Sequence, residues 1–199
     1  MLKRLFDILF SICALIILLP VFIVISVLIK LDSKGPVFYR QQRVGLNGKL
    51  FRIFKFRTMS TFNDVGKVQI TVSDDPRITS VGSYLRKYKL DELSQFINVV
   101  LGDMSVVGPR PEVPEYIKVY PAPLREKILS VRPGITDKAS IEFRNENELL
   151  DANEDPERTY IEKILPIKQR YYSDYVDKHT MLGDVNIILQ TIRLIFLRS

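Results

Sequence analysis

The 199-residue chain has no tryptophan, one cysteine and one histidine. A lone cysteine, Cys13, excludes an intramolecular disulfide and a cysteine-rich zinc site. His179 has no acidic or cysteine neighbour at metal-ligand spacing, which favours a packing or solvent-facing role. The Walker-type glycine loop, the dinucleotide fingerprint and the G-x-S-x-G serine elbow are also missing. Disulfide-stapled proteins, cysteine–zinc proteins and the common nucleotide-loop and serine-hydrolase enzymes are therefore excluded.

What the sequence does contain is one long apolar run. Hydrophobic residues make up 46% of the chain and charged residues 26%, which is typical of a folded protein. Residues 5–29 are apolar except for Asp7, Ser11, Pro20 and Ser26. Because about 20 such residues suffice to span a bilayer as a helix, we predict a membrane-associated protein.

Three interpretations of this run compete. A cleaved signal peptide is disfavoured, because the run is longer than the usual apolar core and no small-x-small site follows it. A spanning helix fits the length. A re-entrant helix, which enters one leaflet and leaves on the same side, fits two further features. Pro20 near the middle predicts a kink, and the positive-inside rule finds no asymmetry to orient a span. Basic residues flank both ends of the run: Lys3, Arg4, Lys30 and Lys34. We favour a re-entrant helix over residues 1–32, with its break at Pro20.

The charge of the remainder is uneven. Residues 1–140 carry 21 basic and 12 acidic side chains, whereas residues 141–199 carry 8 and 11. The acidic stretch from Glu142 to Glu162 predicts a solvent-facing loop and helix. No repeat or flexible linker divides residues 33–199, which we expect to form one domain.

Residues 36–59 are typical of a β-hairpin. Asn47-Gly48 is a favoured pair for a tight turn, and the segments on both sides have strand character. In the second strand, alternation places Lys55 and Arg57 on one face and the neighbouring phenylalanines on the other. An ordinary amphipathic strand gives the same pattern, so the hairpin alone indicates no function.

Helical spacing of apolar residues predicts a helix over Ser83–Leu101 that ends at Gly102. Asp91 and Glu92 then lie at the border of its buried stripe, with Arg86 about one turn away. The stripe consists of Leu93, Phe96, Ile97, Val100 and Leu101.

Two stiff corners and an apolar C-terminal segment complete the chain. Gly108-Pro109-Arg110-Pro111 and Arg132-Pro133-Gly134 cannot continue a helix, and the first presents an arginine. The segment Val185–Leu197 predicts either a core helix or a helix in the membrane interface, and we favour the core.

The Asp91-Glu92 pair, the corner arginines and the basic strand suit phosphate chemistry. Aspartate oxygens bind divalent cations, while arginine forks neutralise and orient phosphoryl oxygens. A carboxylate can also attack phosphorus and form an acyl phosphate, which divides one displacement into two. The dipeptide alone is more typical of plain surface charge, so the residues by themselves leave both interpretations open.

Several strings, in order along the chain, resemble the bacterial sugar transferases, the monotopic phosphoglycosyl transferases that begin lipid-linked glycan assembly. The resemblance covers nearly the whole chain and corresponds to the minimal form of the family, without an added N-terminal transmembrane bundle. The matching strings are Lys3–Asp7, Lys55–Met59, Lys89–Leu93, Asn98–Ser105, Val107–Pro111 and Arg132–Thr136.

The resemblance implies transfer of a phosphosugar from a UDP-sugar to polyprenyl (undecaprenyl) phosphate, with release of UMP, by a ping-pong mechanism. Asp91 would be the nucleophile that forms a covalent phosphosugar intermediate and would lie next to a Mg²⁺ cofactor, with Glu92 as its acidic partner. It also implies the bilayer as a partner and a location on the cytoplasmic face of the inner membrane. The implied substrate-binding residues are Lys55, Arg57, Arg86, Arg110 and Arg144. A basic residue at Arg57 could equally meet lipid headgroups.

The sequence departs from the family pattern at three places. Leu19-Pro20 replaces Ser-Pro, which removes a polar group that could satisfy a broken helix. Leu93-Ser94-Gln95 replaces Leu-Pro-Gln, a harmless change because losing a proline inside a helix removes strain. Residues 137–141 read Asp-Lys-Ala-Ser-Ile in place of Gly-x-Ala-Gln-Val. This last change predicts altered nucleotide-sugar contacts, including the contact assigned to Arg144.

We expect a mostly α-helical α+β fold, with a membrane helix over 1–32 and a cytoplasmic, membrane-facing catalytic domain over 33–199. A basic hairpin, a helix bearing Asp91 and membrane-interfacial helices would build that domain. The alternative function is a non-enzymatic adaptor that binds anionic lipid, although arginines fixed at proline-rich corners argue against it. Nucleic-acid binding is disfavoured despite a pI near 9.4, because no dense basic stripe is present. Neither the donor sugar nor a homo-oligomeric state can be read from the sequence.

Overall fold

The computed structural model describes residues 1–60, 75–144, 150 and 155–196, and it confirms a mostly helical α+β fold. Within this part of the chain, a long N-terminal helix lies beside short helices and two small sheets. The elements are, in order, α1 (Leu2–Asp32), β1 (Phe38–Val44), β2 (Leu50–Phe56), α2 (Ser80–Lys87), α3 (Phe96–Leu101), β3 (Ser105–Val107), α4 (Pro114–Val119), α5 (Ala122–Leu129), β4 (Gly134–Thr136), α6 (Lys138–Glu142), α7 (Pro156–Thr159), α8 (Leu165–Lys178) and α9 (Met181–Phe196). Short 3₁₀ helices cover Leu46–Gly48 and Leu90–Gln95, and a π-helical turn, Tyr160–Ile164, joins α7 to α8.

Helix α1 is the long apolar helix that the sequence predicts. Its 31 residues include Pro20 and are long and apolar enough to cross a membrane. Only 11% of its most apolar 18-residue window is buried against the rest of the chain. The helix is therefore confirmed as a largely exposed apolar element, while its re-entrant course stays a prediction.

The N-terminal end of α1 is fixed to the domain by polar contacts. The Asp7 carboxylate, 2% exposed, accepts hydrogen bonds from the Val106 amide at 3.1 Å and the Ser105 hydroxyl at 2.8 Å. Lys3 Nζ lies 2.6 Å from Asp184 Oδ2 on α9. A buried carboxylate is costly unless it is paired or hydrogen-bonded, so these contacts define one position for this end of the helix.

The C-terminal end of α1 contacts the same domain. Ile25 and Ile29 pack in a cluster with Phe56 of β2 and Leu85 of α2. The Arg57 guanidinium donates through Nη2 to the Ile29 carbonyl and to both oxygens of Ser33. A cation at this position complements the negative end of the helix dipole and satisfies its last carbonyls. Both ends of α1 are thus held by one domain.

The predicted hairpin is confirmed. Strands β1 and β2 pair antiparallel from Phe38–Phe56 to Val44–Leu50, so the first strand is longer than its sequence pattern indicates. Asn47 and Gly48 have φ of 53° and 78°, the left-handed values that this pair favours.

The predicted single helix over Ser83–Leu101 is wrong. α2 ends at Lys87, Lys89 adopts φ of 55°, and a 3₁₀ segment precedes α3. The left-handed residue changes the direction of the chain, so that Ser94 becomes fully buried while Leu101 of the predicted buried stripe is 64% exposed. Val100, also predicted to be buried, lies at the surface.

The two stiff corners contact each other directly. Strands β3 and β4 pair in parallel, and the Gly134 amide donates to the Pro109 carbonyl at 2.9 Å. A Cβ atom on Gly134 would lie 2.1 Å from the Gly108 nitrogen, so only glycine allows this approach of the two backbones. The pairing fixes the segment that carries Arg110.

Helix α9 has one face in the core, as we favoured for the C-terminal segment, and apolar side chains that are exposed on other faces. Ile187 and Ile188 are buried in the core, whereas Leu182 and Leu189 on other faces are exposed. Leu197, and much of the acidic stretch from Glu142 to Glu162, lie outside the described residues. The domain division at residues 32 and 33 stays a prediction, as does an interfacial position for any helix.

Candidate active site

A cavity of about 1220 Å³ brings the sequence-predicted site residues together. It lies between the hairpin, the 3₁₀ segment Leu90–Gln95 and the corner that carries Arg110. The predicted residues that line it are Lys55, Arg57, Arg86, Asp91, Glu92, Arg110 and Arg144. A carboxylate pair surrounded by cations is an arrangement that suits a phosphorylated ligand.

Glu92 is the centre of an ion cluster. Lys55 Nζ lies 2.8 Å from its Oε1, and Arg110 donates through Nη2 to Oε1 at 2.5 Å and through Nη1 to Oε2 at 3.0 Å. The Glu92 side chain is 13% exposed. Burial would raise its pKa, but Arg110 and Lys55 outweigh this effect and hold the pKa of Glu92 well below its ordinary value. Glu92 is therefore a permanent carboxylate whose two oxygens are occupied by cations.

Asp91, the adjacent residue, has a different environment. It is 8% exposed, and its buried Oδ1 has no hydrogen-bond partner within the described part of the chain. Burial raises the pKa of Asp91, Lys55 opposes the shift, and the negative charge of Glu92 adds to it. The left-handed Lys89 just before it costs about 1 kcal/mol of backbone strain, and such strain is often found at functional sites. Asp91 is thus the carboxylate available to a ligand.

The donor set also fits a magnesium ion. Mg²⁺ is usually held by one or two carboxylates together with substrate phosphates and water, and not by a full protein cage. Asp91 offers a buried oxygen without a protein donor, whereas the oxygens of Glu92 already accept hydrogen bonds. Among the described residues no cluster of three or more metal-binding side chains is found, so a Mg²⁺ ion held here would have Asp91 as its protein ligand.

The remaining predicted residues differ in their surroundings. Arg86 is half-buried, burial lowers its pKa, and its Nη1 has no partner among the described residues. Arg57 is 4% exposed and uses Nη2 to hold the end of α1, so it lies under the membrane helix rather than at the surface. Arg144 is exposed at the cavity rim. Their roles toward a substrate stay predictions.

The difference from the family pattern at residues 137–141 has a structural explanation. The Asp137 carboxylate caps α6 by accepting from the Ser140 amide at 3.0 Å and the Ser140 hydroxyl at 2.7 Å. Asp137 is 2% exposed and, unlike Ser140, does not line the cavity. The pair that replaces the family residues thus stabilises the local helix.

Sequence reasoning missed part of the cavity wall. Arg43, Glu112, Tyr160 and Lys168 line it together with the predicted residues. A buried Lys168 within an otherwise ordinary helix pattern gives no local signal, since only the fold places it over the rings of Tyr160 and Phe143.

Comparison with known proteins decides the family. The model of the bacterial sugar transferase family matches residues 1–198. This chain belongs to that family. The match extends from α1 through α9 and therefore includes every residue of the ion cluster.

Two of three similar proteins are named as transferases that act with undecaprenyl phosphate, and the third is named for exopolysaccharide production. A Klebsiella pneumoniae UDP-glucose:undecaprenyl-phosphate glucose-1-phosphate transferase is 43% identical over 76% of this chain and 33% of its own length. The exopolysaccharide production protein ExoY of Sinorhizobium fredii is 35% identical over 96% of this chain and 83% of its own. An Aeromonas hydrophila UDP-N-acetylgalactosamine-undecaprenyl-phosphate N-acetylgalactosaminephosphotransferase is 37% identical over 97% of this chain and 43% of its own. The chain spans about a third to two fifths of the two named transferases.

The ion cluster generates a stability prediction. Glu92→Ala leaves Lys55 and Arg110 close together without their carboxylate, and we expect it to lower the free energy of unfolding by about 2–3 kcal/mol. The double variant Glu92→Ala/Arg110→Ala should lose less than the sum of the two single variants. Denaturant titration in detergent measures both effects.

Glu162→Ala is the matched control, because Glu162 forms an ion pair with Arg158 in which both side chains are more than half exposed. Its loss should be under about 0.5 kcal/mol. Equal losses for Glu92→Ala and Glu162→Ala would contradict the central role of Glu92.

Proposed function

We propose that this chain transfers a phosphosugar from a UDP-sugar to a polyprenyl phosphate and releases UMP. The observation that carries the proposal is Asp91, a buried carboxylate inside a cation-lined cavity of a bacterial sugar transferase family member. One of its oxygens has no donor among the residues that the structure describes. Relatives named for UDP-sugars and undecaprenyl phosphate support this donor and this acceptor. A purely lipid-binding adaptor is not favoured, because it would need no such enclosed carboxylate.

In the first step, the Asp91 carboxylate attacks the phosphorus that bears the sugar. A bond forms between a carboxylate oxygen of Asp91 and this phosphorus. The bond from this phosphorus to the oxygen that bridges the two phosphates breaks, and its electron pair leaves with UMP. The Oδ1 atom of Asp91 has no hydrogen-bond partner among the described residues, so it gives up no protein contact when it attacks. The product is an aspartyl-phosphosugar intermediate.

In the second step, an oxygen of the polyprenyl phosphate attacks the same phosphorus and restores the free Asp91 carboxylate. Phosphoryl transfer depends mainly on positioning and on charge stabilisation, and Arg86 and Lys55 line the cavity where that charge develops. Glu92 keeps Lys55 and Arg110 in place, so we assign it a positioning role. Mg²⁺, when bound at Asp91, would supply further charge to offset the diphosphate.

We also propose that α1 is re-entrant and holds this site at the cytoplasmic face of the inner membrane. A helix of 31 residues is about 46 Å long, yet Asp7 near its start and Ile29 near its end both contact the same domain. A spanning helix would carry one end to the far side of the bilayer. Exposed side chains between the two contacts, such as Ile16 and Ile17, would then enter the lipid.

Asp91→Asn should abolish UMP release from every UDP-sugar tried with undecaprenyl phosphate and Mg²⁺, because the amide is a far weaker nucleophile. The substitution keeps size and shape, and Asp91 Oδ1 has no partner to lose among the described residues. Asp174→Asn is the control, since this exposed carboxylate on α8 does not line the cavity. A coupled assay of UMP detects turnover, and full turnover by Asp91→Asn would refute Asp91 as the nucleophile.

The course of α1 is tested by labelling. In a Cys13→Ser background, Leu2→Cys and Lys49→Cys place single thiols at an exposed position before the apolar run and on the hairpin turn. In sealed inverted vesicles, a membrane-impermeant maleimide should label both variants before the vesicles are lysed. Labelling of Lys49→Cys alone would show that α1 spans the membrane.

A further inference from the structure

The residues that line the cavity around Asp91 form two groups of different chemistry. One group is apolar and comes from α1, α3 and α9; its residues include Phe10, Phe96, Ile188 and Ile192. The other group, which we call the aromatic lobe, combines rings with charged side chains and belongs to a separate cluster. It consists of Arg43, Glu112, Tyr116, Phe143, Tyr160 and Lys168.

A continuous chain of contacts joins the ion cluster to the aromatic lobe. Arg110 binds Glu92, and two residues later Glu112 Oε1 accepts a hydrogen bond from the Tyr160 hydroxyl at 2.8 Å. Arg43 Nη1 donates to the carbonyl of the intervening Pro111 at 3.0 Å. Along this segment the lobe therefore begins at Glu112, two residues beyond the arginine that binds Glu92.

The walls of the lobe are aromatic. Tyr116 and Tyr160 have ring centroids 5.1 Å apart, and Lys168 Nζ lies 5.0 Å from the Tyr160 ring and 5.9 Å from the Phe143 ring. Phe143 is half-buried, whereas Tyr116, Tyr160 and Lys168 are nearly closed from solvent. Phe143 thus offers a ring face at the entrance, and the other three residues form the floor.

The lobe also contains polar atoms that a simple hydrophobic core would not explain. The Tyr116 hydroxyl and Arg43 Nε are buried without a hydrogen-bond partner in the portion of the chain that is described. Such atoms cost free energy unless a ligand or water satisfies them. Both residues line the cavity, so these atoms lie where a polar ligand can supply the missing partners.

We propose that the aromatic lobe binds the nucleoside of the UDP-sugar donor, an inference that rests on the proposed function. With the diphosphate at Asp91, a lipid acceptor extends along the apolar residues of α1, α3 and α9, and the nucleoside lies against the aromatic lobe. Phe143 stacks on the base, while the Tyr116 hydroxyl and Arg43 Nε hydrogen-bond to its polar groups or to the ribose. Binding of bases by aromatic rings is a common use of such surfaces.

The test measures the binding of two probes to the full chain in lipid nanodiscs with Mg²⁺. UMP contains the nucleoside, whereas inorganic pyrophosphate reports only on the charged part of the site. Phe143→Ala should raise the Kd for UMP about 10-fold, and Tyr116→Phe, which removes only a hydroxyl, should raise it about 3–5-fold. The Kd for pyrophosphate should stay unchanged in both.

Two controls match these variants. Tyr120→Phe removes another buried hydroxyl without a partner among the described residues, but Tyr120 does not line the cavity. Tyr84→Ala removes a ring that is 69% exposed and also lies outside the cavity wall. Neither control should change the binding of UMP. If the lobe variants bind UMP as the controls do, or lose pyrophosphate to the same extent, the proposal is overturned.

Turnover of UDP-sugars by the unchanged chain separates this inference from the proposed function. Turnover combined with unaltered UMP binding in Phe143→Ala and Tyr116→Phe would overturn the nucleoside site alone. UMP binding that these variants weaken, without release of UMP from any UDP-sugar, would support the nucleoside site and overturn the transferase. Absence of both UMP binding and turnover would overturn both.

Discussion

The structure depends on a single carboxylate, Glu92, that pairs with two cations from distant parts of the chain. Lys55 comes from the hairpin and Arg110 from the corner after β3, and both contact the same side chain. Bringing these cations so close without an anion would be repulsive. The ion cluster therefore joins the hairpin, the 3₁₀ segment and the corner after β3 at the wall of the cavity.

This constraint separates the roles of two adjacent carboxylates. Glu92 accepts hydrogen bonds on both oxygens, and Arg110 and Lys55 hold its pKa well below the ordinary value. Burial raises the pKa of Asp91, which has an oxygen without a hydrogen-bond partner among the described residues. Glu92 thus organises the cations, whereas Asp91 is the carboxylate that we propose as the nucleophile.

Local sequence signals predicted those parts of the fold that are locally determined. The apolar run predicted a long helix and Asn47-Gly48 predicted a tight turn, and the structure contains both. The break before Asp91 could not be predicted, because Lys89 is an ordinary helix former and its left-handed φ is imposed by tertiary packing. The seven residues taken from the family motifs all line one cavity, but the motifs did not reveal that Glu92 pairs with both Lys55 and Arg110. The aromatic lobe escaped notice, since Arg43 and Lys168 are separated by most of the chain and only folding brings them to one cavity.

The central claim is that Asp91 becomes covalently attached to the phosphosugar. The most direct measurement is the intact mass of the protein after incubation with a UDP-sugar and Mg²⁺ but without a lipid acceptor. We predict an increase equal to one sugar phosphate, located on the peptide that contains Asp91, which disappears when polyprenyl phosphate is added. UMP release that requires the acceptor, with no adduct at any time, would contradict the account and indicate a direct transfer between the two substrates.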